Sequence, residues 1–407
     1  MKILHTSDWH IGQTFMSWDR LPEQRKMLSD IARIISEEHP DALLVSGDIF
    51  DTSTPSAAAQ TMLSEALVEM REAGGRDMLM ILTAGNHDSP SRHEAHAPLM
   101  TRLGIETIGS LHGGSAGDPG EMADAVTFTI EGKGHILALP FAHSRNLPDD
   151  FFPLAIAHTR DSHDDGLPLV VMAHLSVASA DTPGHSNANE MTVGGIDCVG
   201  LDTLGSGYDY MALGHIHRHQ TMHGSNGTTA RYCGTPLAVS FDEAYEHSVS
   251  IVEIKHRGAE PQITTVTISP TIPLATIGGR SGVSPAEALI QLQEAIEGNA
   301  ADNAAPLPCD TYIRLNIAYD PESPVTPDFQ QQAEKICTEA GLRFCKINIV
   351  RKATDRKAAD EDVMTVEELR EVSPLDLARS YALSEEKPWT DEMAALLKEI
   401  MEETDNL

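Results

Sequence analysis

Ala212-Leu213-Gly214-His215-Ile216-His217 is an apolar run that breaks at a glycine and then presents two imidazoles one residue apart. At the end of a strand, residues i and i+2 point to the same side, so His215 and His217 are expected to converge on one site. An isolated pair of histidines is more often a surface or core feature than a metal site. Here four other stretches share the same build, each an apolar run that ends in a short cluster of Asp, Asn and His: Asp8-x-His10, Gly47-Asp48, Gly85-Asn86-His87-Asp88 and Ala173-His174.

Working outward, residues 2–5 read as a strand that delivers Asp8 and His10. Residues 18–39 carry Met27, Leu28, Ile31, Ile34 and Ile35 at helical spacing, and Pro40 stops them. Residues 42–46 form a buried strand that ends in Gly47-Asp48-Ile49-Phe50-Asp51. Residues 55–72 are helical, with Met62, Leu63, Ala66, Leu67 and Met70 as the buried stripe. Residues 78–83 form the third strand and end in the Asn86 cluster. The first ninety residues therefore read β-α-β-α-β with polar clusters at the carboxyl ends of the strands, where open α/β sheets gather their ligands.

Residues 109–134 are glycine-rich and read as irregular, with a hairpin from 125–130 and 135–139. Residues 169–172 form a strand ending at His174, and 179–195 form a polar loop beside the site. Strands at 231–236, 248–254 and 262–268 are expected to supply a second sheet. Pro270 and Pro273 mark a boundary. Beyond them a β-α-β-α-β pattern (274–277, 285–297 with Ser284 as N-cap, 312–318, 327–340, 343–350) defines a small α/β module. The resulting division is 1–270, 271–352 and 353–407. The last segment carries Thr365-Val366-Glu367-Glu368 as a capping box and a stripe of Met393, Leu396, Leu397, Ile400 and Met401. With 16 acidic and 6 basic side chains it is an acidic helical tail. Such a stripe either packs on its own domain or docks on a partner helix.

Composition constrains the function. A formal charge of −32 repels polyanions at long range and argues against a nucleic-acid binder acting alone. Any DNA must be held largely through metal ions or a partner. The five cysteines are scattered, odd in number and without CxxC spacing, as expected of reduced thiols in a cytoplasmic protein. No apolar run is long enough to span a bilayer. Met1 runs directly into a strand, so no signal peptide is expected.

Carboxylate, imidazole and amide ligands together suit Mn²⁺, Fe²⁺ or Zn²⁺. Seven such groups (Asp8, His10, Asp48, Asn86, His174, His215, His217) are too many for one ion and suit two that share a carboxylate. Two adjacent metals form a clamp for in-line attack on phosphorus.

These clusters, in this order, resemble the calcineurin-like metallophosphoesterase superfamily (D-x-H, GD, GNH followed by an acid, H, GHxH). The wording of Ile3-Leu4-His5-Thr6-Ser7-Asp8-Trp9-His10, Gly47-Asp48-Ile49-Phe50-Asp51-Thr52, Tyr232-Cys233-Gly234-Thr235-Pro236 and Ser240-Phe241-Asp242-Glu243 resembles, within it, the SbcD family of nuclease subunits of SbcCD complexes. The resemblance is clear over about residues 1–270. It implies a β-sandwich flanked by helices, followed by a small α/β capping domain and a C-terminal helical tail. It also implies two divalent ions, Mn²⁺ foremost. One would be held by Asp8, His10, Asp48 and His217, the other by Asp48, Asn86, His174 and His215. His87 would stabilise the phosphorane or protonate the leaving 3′ oxygen. Asp88 would orient His87, or serve a structural N-cap. The activity implied is double-strand 3′–5′ exonuclease and single-strand or hairpin endonuclease in DNA repair, recombination and replication. The implied partners are DNA, a second copy in a homodimer, and an SbcC-like coiled-coil ATPase bound by the tail. Two other readings stand beside it: a phosphodiesterase for small substrates, which has no need of the small module and tail, and a non-catalytic scaffold, which has no need of seven ligands.

Overall fold

The protein is described by a computed structural model over residues 1–177, 199–298, 305–321 and 324–351. The polar loop at 179–195 and the acidic tail at 353–407 lie outside the described residues. The chain opens with β1 (Lys2–Thr6), the small hairpin β2 (Thr14–Phe15) and β3 (Trp18–Asp19), α1 (Leu21–Glu38), β4 (Ala42–Ser46), α2 (Ala57–Gly74) and β5 (Leu79–Thr83). Two short helices, α3 (Pro90–Glu94) and α4 (Ala97–Met100), then lead to β6 (Ile105–Ile108). The helix expected from residue 18 starts at Leu21, because Trp18 and Asp19 pair back onto Phe15 and Thr14. Pro22 then sits in the first turn of α1, where its missing N–H costs nothing. Ser56 caps α2 by accepting from the Ala59 amide at 3.2 Å.

The middle of the chain supplies α5 (Pro119–Asp124), β7 (Thr127–Ile130), β8 (Gly134–Ala138), α6 (Phe151–Ser162), β9 (Leu169–His174), β10 (Tyr210–Gly214), β11 (Gln220–His223), β12 (Thr229–Tyr232), β13 (Ser248–Glu253) and β14 (Gln262–Thr267). Two six-stranded sheets result, with orders β14-β13-β1-β4-β5-β6 and β11-β12-β10-β9-β8-β7. In the first, β1, β4, β5 and β6 are parallel, and in the second β8, β9, β10 and β12 are parallel. The expectation that strands beyond 231 build a second sheet is corrected here. Only β12 joins it, while β13 returns antiparallel to β1 and brings β14 to the edge of the first sheet. Residues 109–134 are also less irregular than expected, since Asp118 caps α5 through the Gly120 and Glu121 amides.

Strand alternation distributes the core. Ile3, Ala42, Leu44 and Ile81 face the second sheet and pack with Ile136, Val170, Met172, Met211 and Leu213. Their neighbours Leu4, Leu43, Val45, Met80 and Leu82 face the other way, onto Met27, Leu28, Ile31, Met62 and Met70 of α1 and α2. The first sheet is thus sandwiched between helices and the second sheet. Each fully buried side chain of this kind contributes about 2 kcal/mol.

The C-terminal part of the described chain is a separate three-stranded sheet with its two helices. Its elements are β15 (Leu274–Ile277), α7 (Pro285–Glu297, capped by Ser284), β16 (Tyr312–Ala318), α8 (Pro327–Glu339, capped by Thr326) and β17 (Arg343–Val350). All pairings are parallel, with β16 central. Its own apolar cluster includes Leu292, Ile313, Leu315, Ile317 and Phe329. It meets the sandwich through Phe15, Phe241 and Tyr312, which pack together.

Candidate metal centre

The clusters fall at one edge of the sandwich, where parallel strands of both sheets end. β1, β4 and β5 lead from the first sheet to Asp8, Asp48 and Asn86, and β9 and β10 bring His174 and His215 from the second. The loops are joined along their backbones: Asp8 N donates to Gly47 O at 3.0 Å and His10 N to Asp48 O at 3.1 Å. Ser46 joins the sheets, its hydroxyl donating to Ala212 O at 3.0 Å and its carbonyl accepting from His174 Nδ1 at 2.8 Å.

Local backbone geometry explains the glycines. Asp8 (φ 53°), His10 (φ 44°), Asp48 (φ 50°) and His215 (φ 99°) all adopt positive φ, a costly conformation for residues with a Cβ that concentrates at functional sites. Gly214 allows the second sheet to approach the first, since a Cβ there would lie 1.9 Å from Ser46 O. A Cβ on Gly85 would strike the Asp48 carboxylate at 2.1 Å. These positions demand glycine for space.

Asp8, His10 and His217 offer ligand atoms within 4.8 Å of one another, as do Asp8, Asp48 and His174, and also His10, Asp48 and His87. Asn86 joins the second group through its Oδ1, 3.0 Å from His174 Nε2. The two histidines of the decisive stretch part company. His217 stands against His10, with ring centroids 5.2 Å apart, and His215 stands against His174 at 5.4 Å. Among the described residues, the three groups do not include His215. The positive φ of His215 turns the chain between them.

The cluster attracts positive charge. Asp8 and Asp48 are buried side by side, and among the described residues both ring nitrogens of buried His10 lack a hydrogen-bond partner. Burial opposes charge on His10 and His174, but it is outweighed. The Asp51, Asp48 and Asp8 carboxylates push His10 up to about 9, and Asp48, Asp8 and the Ser46 carbonyl push His174 up to about 9. Burial likewise opposes ionisation of Asp48, yet the His174 and His10 imidazoles hold it far below the usual carboxylate range. A buried set of carboxylates and imidazoles whose nitrogens come close to one another is the donor chemistry of a divalent-metal site. The residues present fit divalent metal.

Supporting contacts fix the candidate ligands. The Asp8 carboxylate accepts from the His215 amide at 3.1 Å and from the Ser7 hydroxyl, and Asp48 Oδ1 accepts from the His87 amide at 2.9 Å. His174 donates from Nδ1 to Ser46 O, which frees Nε2 for a metal. Glu243, buried, lies 2.9 Å from His217 Nδ1 and does the same there. His87 Nδ1 lies 2.8 Å from Asp51 O, and its exposed ring stands edge-on to His10 at 4.9 Å. The orienting partner of His87 is therefore the Asp51 carbonyl. Asp88 is used elsewhere. Its carboxylate accepts from the Gly85, Ile49 and Phe50 amides at 2.9, 3.1 and 2.9 Å and ties two loops together. Sequence reasoning assigned no role to Ser46, Asp51 or Glu243. Asp51 follows Asp48 by three residues, which is a usable signal, but Glu243 lies 26 residues beyond His217 and only the fold brings it back.

A family model for calcineurin-like phosphoesterases matches residues 1–219. The chain is 30% identical over 383 residues to the D subunit of the SbcCD nuclease of Rhodobacter capsulatus, covering 88% of this chain and 90% of that one. It is 33% identical over 348 residues to the Bacillus subtilis D subunit, covering 82% and 87%. It is 28% identical over 312 residues to that of Escherichia coli, covering 69% and 71%. The chain belongs to the calcineurin-like phosphoesterase family and, within it, to the family of SbcCD nuclease D subunits.

Proposed function

We propose that this chain is the metal-dependent nuclease subunit of an SbcCD-like complex and hydrolyses DNA phosphodiester bonds, as a double-strand 3′–5′ exonuclease and a single-strand and hairpin endonuclease. The observation that carries the reading is the meeting of Asp8, His10, Asp48, His174 and His217 from strand ends of both sheets, in a chain of this family. Asp8, His10, Asp48 and His217 would hold one divalent ion, and Asp48, Asn86, His174 and His215 the other, with Mn²⁺ as the cation. When bound, the pair supplies Lewis-acid polarisation of the phosphate and a nucleophile at neutral pH.

The chain's own groups do the rest. Ser46 and Glu243 hold His174 and His217 in the tautomer whose Nε2 is unprotonated. His87, oriented by the Asp51 carbonyl, is placed to hold a proton for the leaving 3′ oxygen, a contribution of about 10²–10⁴ in rate. The three-stranded module is read as the capping domain that limits how duplex DNA reaches this edge, and the acidic tail as the attachment to a coiled-coil ATPase. That ATPase supplies the DNA-holding surface that a chain of charge −32 lacks. The chain works in the cytoplasm as a homodimer.

The test incubates the purified chain with Mn²⁺ and end-labelled duplex DNA, hairpin DNA or a small aryl phosphodiester, with His87→Gln alongside. The expected result is DNA cleavage that the variant loses while still taking up two Mn²⁺. Hydrolysis of the small ester alone, even with the ATPase and ATP present, would transfer the chain to small phosphodiester substrates. Weakened metal uptake by His87→Gln would make His87 a ligand, which its proximity to His10 and Asp48 permits.

A further inference from the structure

The stretch Ser240-Phe241-Asp242-Glu243 has neighbouring carboxylates that serve two different parts of the molecule. Glu243 reaches into the candidate metal centre, where Oε1 lies 2.9 Å from His217 Nδ1 while Oε2 accepts from the Val239 amide at 3.0 Å. Both its oxygens are engaged, and it is 3% exposed. Asp242 faces the three-stranded module, where its Oδ1 accepts from Arg314 Nη1 on β16. The same guanidinium donates to Thr276 Oγ1 on β15 at 3.2 Å and lies 5.1 Å from the centre of the Phe241 ring.

Two residues before the stretch, the chain is gripped by the sandwich itself. Ala238 O accepts from the buried Arg20 guanidinium, which Glu23 holds through both oxygens at 3.2 Å. Glu23 in turn accepts from the Tyr312 hydroxyl of β16 at 2.7 Å. Residues 238–243 thus form one turn, with the Glu243 amide donating to Ser240 O at 3.3 Å; it is tied to the module directly through Asp242, indirectly through Ala238 by way of Arg20 and Glu23 of the sandwich, and to a candidate metal ligand through Glu243.

We propose that Glu243 is a positioning residue for His217, and that the seating of the three-stranded module, through Asp242–Arg314 and Ala238–Arg20–Glu23–Tyr312, sets that position and so the affinity of one metal site. This rests on the proposed two-metal centre. A carboxylate on the remote nitrogen of a ligating imidazole fixes its tautomer and raises its basicity, and removing such a partner costs about 10–100-fold in metal affinity. A charged contact one residue away from Glu243 leaves little slack: a shift of the module carries the Asp242 backbone with it, and the Glu243 carboxylate follows.

The experiment titrates Mn²⁺ into the full chain by calorimetry at fixed pH, with circular dichroism to verify folding. Glu243→Ala should weaken one of two bound Mn²⁺ by about 10–100-fold, and Glu243→Gln by less, because its amide oxygen still accepts from Nδ1–H. Asp242→Asn and Arg314→Ala, which touch no candidate ligand, should each weaken the same ion by about threefold or more, and should add almost nothing in the Glu243→Ala background. Arg314→Lys should recover part of the loss. If Asp242→Asn and Arg314→Ala are folded and bind both ions with parental affinity, or if their effects add fully to Glu243→Ala, the coupling is overturned. Unchanged affinity in Glu243→Ala overturns the positioning role itself. A parent chain that takes up two Mn²⁺ but cuts no DNA would remove the nuclease reading and leave this inference intact.

Discussion

At the residue scale, His10 and His174 set the response to pH. Both imidazoles are held up to about 9 by buried carboxylates, against an unfolded value near 6.5. Their ion pairs therefore stabilise the metal-free fold fully below about pH 6.5, and that contribution is lost as pH rises through about 9. Metal must displace the same protons, so Mn²⁺ affinity should rise with pH over that window. We expect the melting temperature in EDTA to fall from about pH 6.5 to about pH 9.5, and saturating Mn²⁺ to remove most of that fall. A melting temperature in EDTA that is flat across the range would contradict the charge coupling between the carboxylates and the two histidines. The glycine spacing is equally specific. Gly214→Ala drives a Cβ to 1.9 Å from Ser46 O, where backbone meets backbone, and should cost about 3 kcal/mol or more in urea unfolding.

At the scale of elements, the Asp88 carboxylate ties the loops after β4 and β5 together, beside the contacts of His87 with Asp48 and Asp51. Asp88 satisfies three backbone amides that otherwise sit at the buried carboxyl edge of the sheet. Asp88→Ala leaves them without their charged acceptor and should destabilise the fold by about 3 kcal/mol, with Asp88→Asn in between. Cleavage should fall with it, because the amides of Ile49 and Phe50 follow directly on Asp48. Chemical denaturation with and without Mn²⁺ separates the two effects: a variant of parental stability would show that these amides find other partners. The three-stranded module has its own cluster of Leu292, Ile313, Leu315 and Phe329, yet its central strand sends Tyr312 and Arg314 out to the sandwich. It is packed within itself and keyed to its neighbour by these polar contacts and by the packing of Phe15, Phe241 and Tyr312, which suits an element whose seating matters to the site.

At the scale of the whole molecule, an acidic chain carries a phosphodiesterase edge. At −32 its isolated affinity for DNA should be weak at physiological salt, and divalent metal should strengthen it more than lowering the salt does. Removing residues 353–407 should leave hydrolysis of a small aryl phosphodiester within about twofold, while pull-down by the coiled-coil ATPase falls below detection. Undiminished capture would dissociate the tail from the partner. Processing of duplex ends should fall with the partner even though the metal centre is intact.

The sequence by itself determined the strands that carry the site and the residues at their ends. Apolar runs broken by Gly-Asp, Gly-Asn-His-Asp and Gly-His-x-His are local patterns, and their cause is local: a strand must end before a polar cluster, and close backbone approach demands glycine. It also determined the β-α-β-α-β order of the module, where Ser284 and the periodicity of α7 and α8 suffice. Only the tertiary structure decided that β13 and β14 return to the first sheet, since hydrogen-bond partners in a sheet are chosen by long-range packing. Short α5 and β6 were equally hidden, because a few apolar residues do not fix a period. Tertiary structure alone also gave Asp88 to the loop amides and brought Glu243 onto His217. A carboxylate's role depends on which donors the fold places within hydrogen-bonding reach, and that distance is not written in the spacing of residues along the chain.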